Sequence, residues 1–166
     1  MSPATPAGTA SWAEVVAAAP ALAAAARERF EAHPHHVLAT LHADGRPRCS
    51  GTNVMFDEGR LWIGSMADSR KGADLRRDPR LALHSCPLDE ELAPGAGDAR
   101  IEAVAQRLPD DLALRLLRGA FGEEATIEGD MFELSVVGLS LVTVEGDQMR
   151  VRSWTPEGGE RDVLRS

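Results

Sequence analysis

The triplet Ser69-Arg70-Lys71 is the stretch of this 166-residue sequence whose residue types point most directly to chemistry. It stands at the predicted start of a helix, where unpaired N–H groups and a partial positive charge of about half a unit favour an anion. The serine hydroxyl can donate a hydrogen bond, and the two cations add charge-assisted ones. Positive charge in a first turn opposes the helix dipole, so a structural role explains the triplet poorly. Lys71 is also the only lysine among the 18 basic residues. The triplet therefore predicts a phosphate-binding turn.

Other residue types that often carry chemistry give weaker signals. The histidines His33, His35 and His36 lie in an HPHH segment without Cys, Asp or Glu at ligand spacing, which predicts a surface loop and no metal site. Cys49 and Cys86 stand in predicted strands outside any CxxC pattern, so we expect reduced, buried thiols. No G-x-S-x-G motif is present, and hydrolysis is not supported.

Composition narrows the possible partners. The hydrophobic fraction is 43% and the charged fraction 27%, which is typical of a globular protein. The net charge of −8, the 4% aromatic content and the lack of tyrosine argue against nucleic acid as a partner. No apolar run of about 18 residues and no basic leader precede the first helix, so we expect a cytoplasmic protein without membrane contact.

The elements that must position the triplet follow from the hydrophobic pattern. Residues 1–10 are expected to be a disordered lead-in to one domain, residues 11–166. A helix capped by Ser11 and Glu14 should run to Ala32 with a break at Pro20. Two more helices are predicted over 69–77 and 110–120, and strands over 37–42, 47–57, 60–65, 80–86, 99–108, 131–146 and 149–154. The order β-β-β-α-β-β-α-β-β favours an antiparallel barrel with peripheral helices over a parallel sheet.

The segment 36–87 carries a set of motifs in a fixed order: a strand ending in "AT", the turn "ADG-P", a strand pair ending in "LW-G-S", and then "SRK…L…DPR-AL". In this order and spacing the segment resembles the pyridoxamine 5'-phosphate oxidase-like, FMN-binding split-barrel superfamily, in its related branch of actinobacterial type. The resemblance implies a mainly β (α+β) fold, an antiparallel split β-barrel of six or seven strands with peripheral helices. It also implies a homodimer with two cofactor sites between the protomers.

The same resemblance assigns site residues. Ser69, Arg70 and Lys71 would bind the phosphate of FMN or a deazaflavin, with Ser65 beside the phosphate and the ribityl chain. On the second strand, Ser50, Thr52 and Asn53 would run along the ring edge. The carboxy-terminal SWTPEGGERD resembles a tail in which Trp154 covers the cofactor and Arg161 reaches a phosphate or an acidic substrate. Equally, Trp154 could cap the barrel.

The implied function is an FMN-binding oxidoreductase acting on an unidentified small molecule. True pyridoxamine-phosphate oxidases carry an arginine and a lysine where this sequence has Ser50 and Met55, so that particular reaction is not expected. Two alternatives remain open: a deazaflavin-dependent reductase using the same phosphate site, and a non-catalytic flavin- or haem-binding carrier or sensor. His84 is interpreted as a core histidine and not as a haem ligand. The sequence offers no convincing catalytic acid or base.

Overall fold

A computed structural model describes residues 7–57, 59–86 and 97–166. The helices are α1 (Trp12–Ala18), α2 (Pro20–Glu31), α3 (Arg70–Arg77) and α4 (Asp110–Phe121). The strands are β1 (His36–Leu41), β2 (Pro47–Thr52), β3 (Met55–Asp57), β4 (Arg60–Met66), β5 (Arg80–His84), β6 (Gly97–Arg107), β7 (Gly129–Glu145), β8 (Gln148–Thr155) and β9 (Gly159–Arg165). In the described residues, no helix is long and apolar enough to cross a membrane.

The nine strands of the described residues belong to one antiparallel sheet in the order β2-β1-β5-β6-β7-β4-β3. Strand β8 pairs with the last part of β7, and β9 pairs with β8. The long strand β7 pairs with β6 along most of its length. Its first residues also pair with β4, and its last residues pair with β8. Because β7 exchanges one neighbour for another along its length, the sheet opens between β4 and β8. The mainly β, antiparallel split-barrel prediction is confirmed.

The local signals explain where the elements begin and end. The capping box at Ser11 forms as predicted, with Glu14 Oε2 accepting from the Ser11 backbone N–H at 2.7 Å. Pro20 ends α1 and stands at the first position of α2, where its missing N–H costs nothing. The expected lead-in falls largely outside the described residues, and at its end Ala10 exchanges two backbone hydrogen bonds with Val136.

The strand count differs from the expected six or seven at two places. The predicted second strand, 47–57, is divided at Asn53 into β2, which pairs with β1, and β3, which pairs with β4. The carboxy-terminal tail also forms β9, which pairs with β8 from Met149↔Arg165 to Thr155↔Gly159. Every residue of β9 is exposed. The tail therefore lacks the buried, alternating positions that identify a strand in a sequence.

Two apolar clusters fill the interior. The larger joins α1 and α2 to the inner face of the sheet, with Phe30, Leu38 and Ile101 almost fully buried. The smaller packs α4 against β4 and the start of β7 around Trp62 and Leu116. Helix α4 is therefore fixed beside β4, the strand that precedes α3 in the chain.

Three expectations about single residues are wrong. Cys49 faces out from β2 and is exposed, so it is not a buried thiol. His36 belongs to the buried first position of β1, 4% exposed, and its Nδ1 accepts a hydrogen bond from the Cys86 backbone N–H at 3.4 Å. His84 is not a core histidine: its side chain is 43% exposed and its Nε2 lies 3.4 Å from Asp98 Oδ1.

Candidate functional site

A cleft of about 490 Å³ lies where β2, β4, α3, α4 and the loop before β7 meet. The polar lining comes from the chain between β2 and β3, from the end of β4 and from α3. Apolar lining comes from Leu117 and Phe121 of α4 and from Ile127 and Met131, and the segment 126–131 also brings the carboxylates of Glu128 and Asp130 to the cleft. The cleft therefore has a polar wall that includes Lys71 and a second, mixed wall that carries both apolar and acidic side chains.

The start of α3 forms the polar end of the cleft. Ser69 caps the helix by accepting a hydrogen bond from the Gly72 N–H at 3.2 Å. The buried Ser65 at the end of β4 lies with its Oγ 2.5 Å from Ser69 Oγ. A Cβ at Gly72 would lie 2.5 Å from Ser65 Oγ, so only glycine fits between the helix and β4 here. Glycine at this position is what lets the helix N-terminus approach the cleft.

Lys71 spans from the first turn of α3 to the polar wall. Its Nζ donates a hydrogen bond to the Gly51 carbonyl oxygen at 2.8 Å. Burial lowers the pKa of this half-buried ammonium, because removal of water disfavours its charge. An ammonium has three donors, so two remain available for a ligand in the cleft that Lys71 lines.

Helix α3 is a basic element in an acidic protein. Its sequence RKGADLRR carries four cations and one acid. Arg76 and Arg77, in the last turn, pair with Asp130 and Asp74. Neither Arg70 nor Lys71 forms an ion pair with any described residue. The uncompensated positive charge is therefore at the helix N-terminus, where it adds to the helix dipole.

The buried Asp74 attaches α3 to the sheet. Its carboxylate accepts hydrogen bonds from Thr40 at 3.0 Å, from Arg48 at 2.6 Å and from Arg77 at 2.9 Å. Burial alone would raise the pKa of Asp74, but these hydrogen bonds, together with the charge of Arg48, hold it below its ordinary value. The ionised Asp74 therefore fixes the helix against β1 and β2 and sets the position of its N-terminus.

A second carboxylate, Asp130 on β7, lines the cleft and is neutralised from two sides. Arg107 donates to its Oδ1 at 2.6 Å, and Arg76 of α3 donates to its Oδ2. Burial would raise the pKa of Asp130, and the two guanidinium groups outweigh it and lower the pKa. Asp130 therefore stays ionised and paired, and it opposes an anion in the cleft less than a free carboxylate would.

The predicted site residues fall into three groups. Ser65, Lys71, Thr52 and Asn53 line the cleft, and Ser69 adjoins it through Ser65. Arg70, in the first turn of α3, is exposed and is not among the residues that line the cleft. The others lie elsewhere in the chain: Ser50, Trp154 and Arg161.

Ser50 is not among the residues that line the cleft, and its Oγ is buried without a hydrogen-bond partner in the described residues. Trp154 is 5% exposed and packs in the larger apolar cluster, as expected of a barrel cap. Arg161 is exposed on β9. Neither Trp154 nor Arg161 lines the cleft of its own chain.

Several cleft residues were not predicted from the sequence. His35 lines the polar wall, and its Nδ1 lies 3.1 Å from Asn53 Oδ1. Met66 and Phe121 stand beside the cleft with 78% and 66% of their surface exposed. Exposed large apolar residues beside a concave surface are typical of ligand sites. No sequence signal identifies them, because α4 and the loop after it reach the cleft only through tertiary packing.

The split barrel and the cationic N-terminus of α3 define a class of protein, a split-barrel protein with a candidate anion site. Comparison with known sequences identifies the family. The pyridoxamine 5'-phosphate oxidase family matches residues 22–147, well over half of the chain. The chain therefore belongs to this family. No curated protein is significantly similar to it in sequence.

Solved structures share the fold. PhzG from Burkholderia lata 383, in complex with tetrahydrophenazine-1-carboxylic acid, has a TM-score of 0.67 and 15% identity over 92% of each chain. A pyridoxamine 5'-phosphate oxidase-related, FMN-binding protein from Nostoc punctiforme has a TM-score of 0.59 and 14% identity over 89% of this chain and 96% of that one. A haem-binding protein from Mycobacterium smegmatis has a TM-score of 0.59 and 24% identity, and the match covers 80% of this chain but only 57% of that one.

The cleft fits a flavin mononucleotide in volume and in chemistry. Its volume of about 490 Å³ lies within the roughly 300–1,000 Å³ typical of small-molecule sites. A phosphate matches the N-terminus of α3, where Lys71 lines the cleft and the exposed Arg70 is the preceding residue. The apolar side chains of Leu117, Phe121 and Ile127 offer a surface for a flat ring, and Gly51 has open space where a Cβ would be.

Proposed function

We propose that this chain is an FMN-binding oxidoreductase that acts on a small molecule. The observation that carries the proposal is the N-terminus of α3, where Lys71 lines the cleft and neither Lys71 nor the adjacent, exposed Arg70 forms an ion pair with any described residue. Charge at a capped helix N-terminus is arranged for an anion and is poorly explained by stability. The FMN-binding relative from Nostoc punctiforme shares the fold and supports this choice of ligand.

In the proposed complex, the residues of this chain bind and orient. Arg70, Lys71 and the first N–H groups of α3 hold the phosphate, and the hydroxyl of Ser65 lies beside it. Thr52 and Asn53 present polar groups to the ring edge. On the other side, Leu117 and Ile127 provide an apolar surface that excludes water. When bound, FMN supplies two-electron hydride chemistry.

The proposed assembly is a homodimer in which each cofactor lies between two protomers. Arg161, which is exposed on β9 outside the cleft of its own chain, would then contact the cofactor of the partner subunit, whereas Trp154 packs in the core of its own chain. Size-exclusion chromatography with light scattering at micromolar concentration is expected to give about twice the chain mass of 17.8 kDa. A single species at the chain mass would contradict the proposed assembly.

The test of the phosphate anchor is the double variant Arg70→Ala/Lys71→Ala. Charge-assisted hydrogen bonds contribute roughly 1.5–3 kcal/mol each, so FMN binding should weaken by about 2 kcal/mol or more. The matched control, Arg27→Ala/Arg46→Ala, removes the same charge from exposed residues of α2 and of the β1–β2 turn. A folded double variant that binds FMN as tightly as the control does would contradict the proposal.

A second candidate function is haem binding without turnover. A histidine, His35, lines a cleft whose second wall carries apolar side chains, and the haem-binding protein from Mycobacterium smegmatis has a similar fold. Parallel titrations with FMN, a deazaflavin cofactor and haemin separate the candidates. The proposal expects FMN to bind at least as tightly as the deazaflavin and to give a flavin spectrum. A Soret band with tighter haemin binding would favour the carrier instead.

A further inference from the structure

We propose that His35 is the proton-exchanging residue of the cleft and that Asn53 holds it in the competent tautomer. This inference rests on the proposed flavin function, and it identifies the side chain that accepts the substrate's proton in that reaction. The substrate class that follows is a small molecule whose oxidised carbon carries an O–H or N–H group.

His35 is held firmly although it lies in a loop between α2 and β1. Pro34 precedes it and restricts the backbone. The next residue, His36, is buried, accepts a hydrogen bond from the Cys86 backbone N–H at 3.4 Å, and has its ring edge-on to Phe30 at 5.0 Å. Because its neighbour is anchored in the core, the His35 ring has a fixed point from which to reach the cleft.

The contact with Asn53 defines the protonation pattern. Asn53 Oδ1 lies 3.1 Å from His35 Nδ1, and an amide oxygen only accepts hydrogen bonds. A hydrogen bond from Nδ1–H to this oxygen would leave the free lone pair of the neutral ring on Nε2. The arrangement, a histidine oriented by a polar partner on its other nitrogen, is the usual geometry of a general base.

The other ionisable groups that face the cleft are unsuited to this exchange. Lys71 of α3 already donates to Gly51 and belongs to the phosphate end. Asp130 of β7 is locked by Arg76 and Arg107. Glu128 belongs to the loop before β7 and is exposed to solvent. Of the ionisable side chains described around the cleft, His35 is the one whose ring offers both a donor and an acceptor nitrogen.

The step balances as follows. A bound flavin would supply the two-electron acceptor for the hydride that leaves when the carbon–hydrogen bond of the substrate breaks. His35 Nε2 takes the proton of the adjoining O–H or N–H group, and a carbon–oxygen or carbon–nitrogen double bond forms. The imidazolium then returns its proton to solvent, since His35 is exposed.

The test measures proton uptake on photochemical reduction of FMN bound to the full chain, at pH values near 7, in wild type, His35→Asn and His33→Asn. Added negative charge on the reduced ring should raise the proton affinity of a nearby imidazole. Wild type and the His33→Asn control should therefore take up a further fraction of a proton that His35→Asn does not. Circular dichroism reports whether each variant is folded, and His35→Gln replaces His35→Asn should the latter not fold.

The outcomes separate the two proposals. With FMN saturating in each protein, uptake that is reduced only in His35→Asn supports both. Equal uptake in all three proteins at saturating FMN overturns the role of His35 and leaves the flavin proposal standing. Failure of the wild-type chain to bind FMN overturns both.

Discussion

Helix α3 and the β8–β9 hairpin both carry arginines that form ion pairs. The two sets of ion pairs differ in how far they are buried. In α3, Arg77 and the neighbouring Arg48 converge on Asp74, whose side chain is only 5% exposed. In the hairpin, Arg150 pairs with Glu145 and Asp162, all of them close to 40% exposed. The same ion-pair chemistry is thus buried at one place and solvated at the other. Because the Asp74 network is buried, it fixes the position of α3 beside the cleft. Water screens the charges of the Arg150 network, so that network contributes less.

The largest expected effect comes from removing the buried carboxylate. Asp74→Ala leaves Arg48 and Arg77 without their partner and should cost about 3 kcal/mol of folding free energy, the lower end for a broken buried pair because both arginines keep some contact with water. The matched variant Asp162→Ala should cost no more than about 1 kcal/mol. Urea denaturation measures both, and equal losses would show that burial does not distinguish the two networks.

A smaller loss of stability is expected from substitution of Gly72, the glycine at the close contact between α3 and β4. Gly72→Ala places a Cβ 2.5 Å from Ser65 Oγ and 3.1 Å from Ser69 Oγ. The first turn must shift, at a cost of about 1–3 kcal/mol, and FMN affinity should fall with it. The control Gly119→Ala lies in α4 with open space around its Cβ, and alanine there should stabilise the helix by up to about 1 kcal/mol. A Gly72→Ala protein as stable as wild type would contradict the close approach.

The smallest effect is a difference in acid sensitivity. The pKa of Asp74 in the folded chain lies below its ordinary value of 3.8. Its contribution to stability is therefore complete above pH 3.8 and is lost as the pH falls through the folded pKa. The stability advantage of wild type over Asp74→Asn should shrink between pH 5 and pH 2, measured by urea midpoints. The stability advantage of wild type over Asp162→Asn should change less over the same pH range, since Asp162 is solvated. An identical change for Asp74→Asn and Asp162→Asn would contradict the larger role given to the ionised Asp74.

The sequence predicted much of the fold because its signals are local. The helix start at Ser69, the break at Pro20 and the strand pairs β1–β2 and β3–β4 depend on residues that are close together in the sequence. Strand β9 has no buried face and forms by pairing with the edge of β8. Its sequence therefore lacks the alternation of apolar and polar residues that would predict a strand. Near the cleft, Lys71 was found because it belongs to the helix N-terminus, and Ser65 was found through the resemblance to the family. His35 and Phe121 were missed because their place depends on how β1 and α4 pack, which a local pattern does not encode.

The most direct test of the central claim is the dissociation constant of FMN for wild type and for Arg70→Ala/Lys71→Ala, measured by quenching of flavin fluorescence. The proposed site predicts saturable binding to wild type and a loss of affinity of about thirtyfold in the double variant, the equivalent of roughly 2 kcal/mol. Absence of saturable binding to the folded wild-type chain would contradict a flavin site. Unchanged affinity in the folded double variant would contradict the role given to the N-terminus of α3.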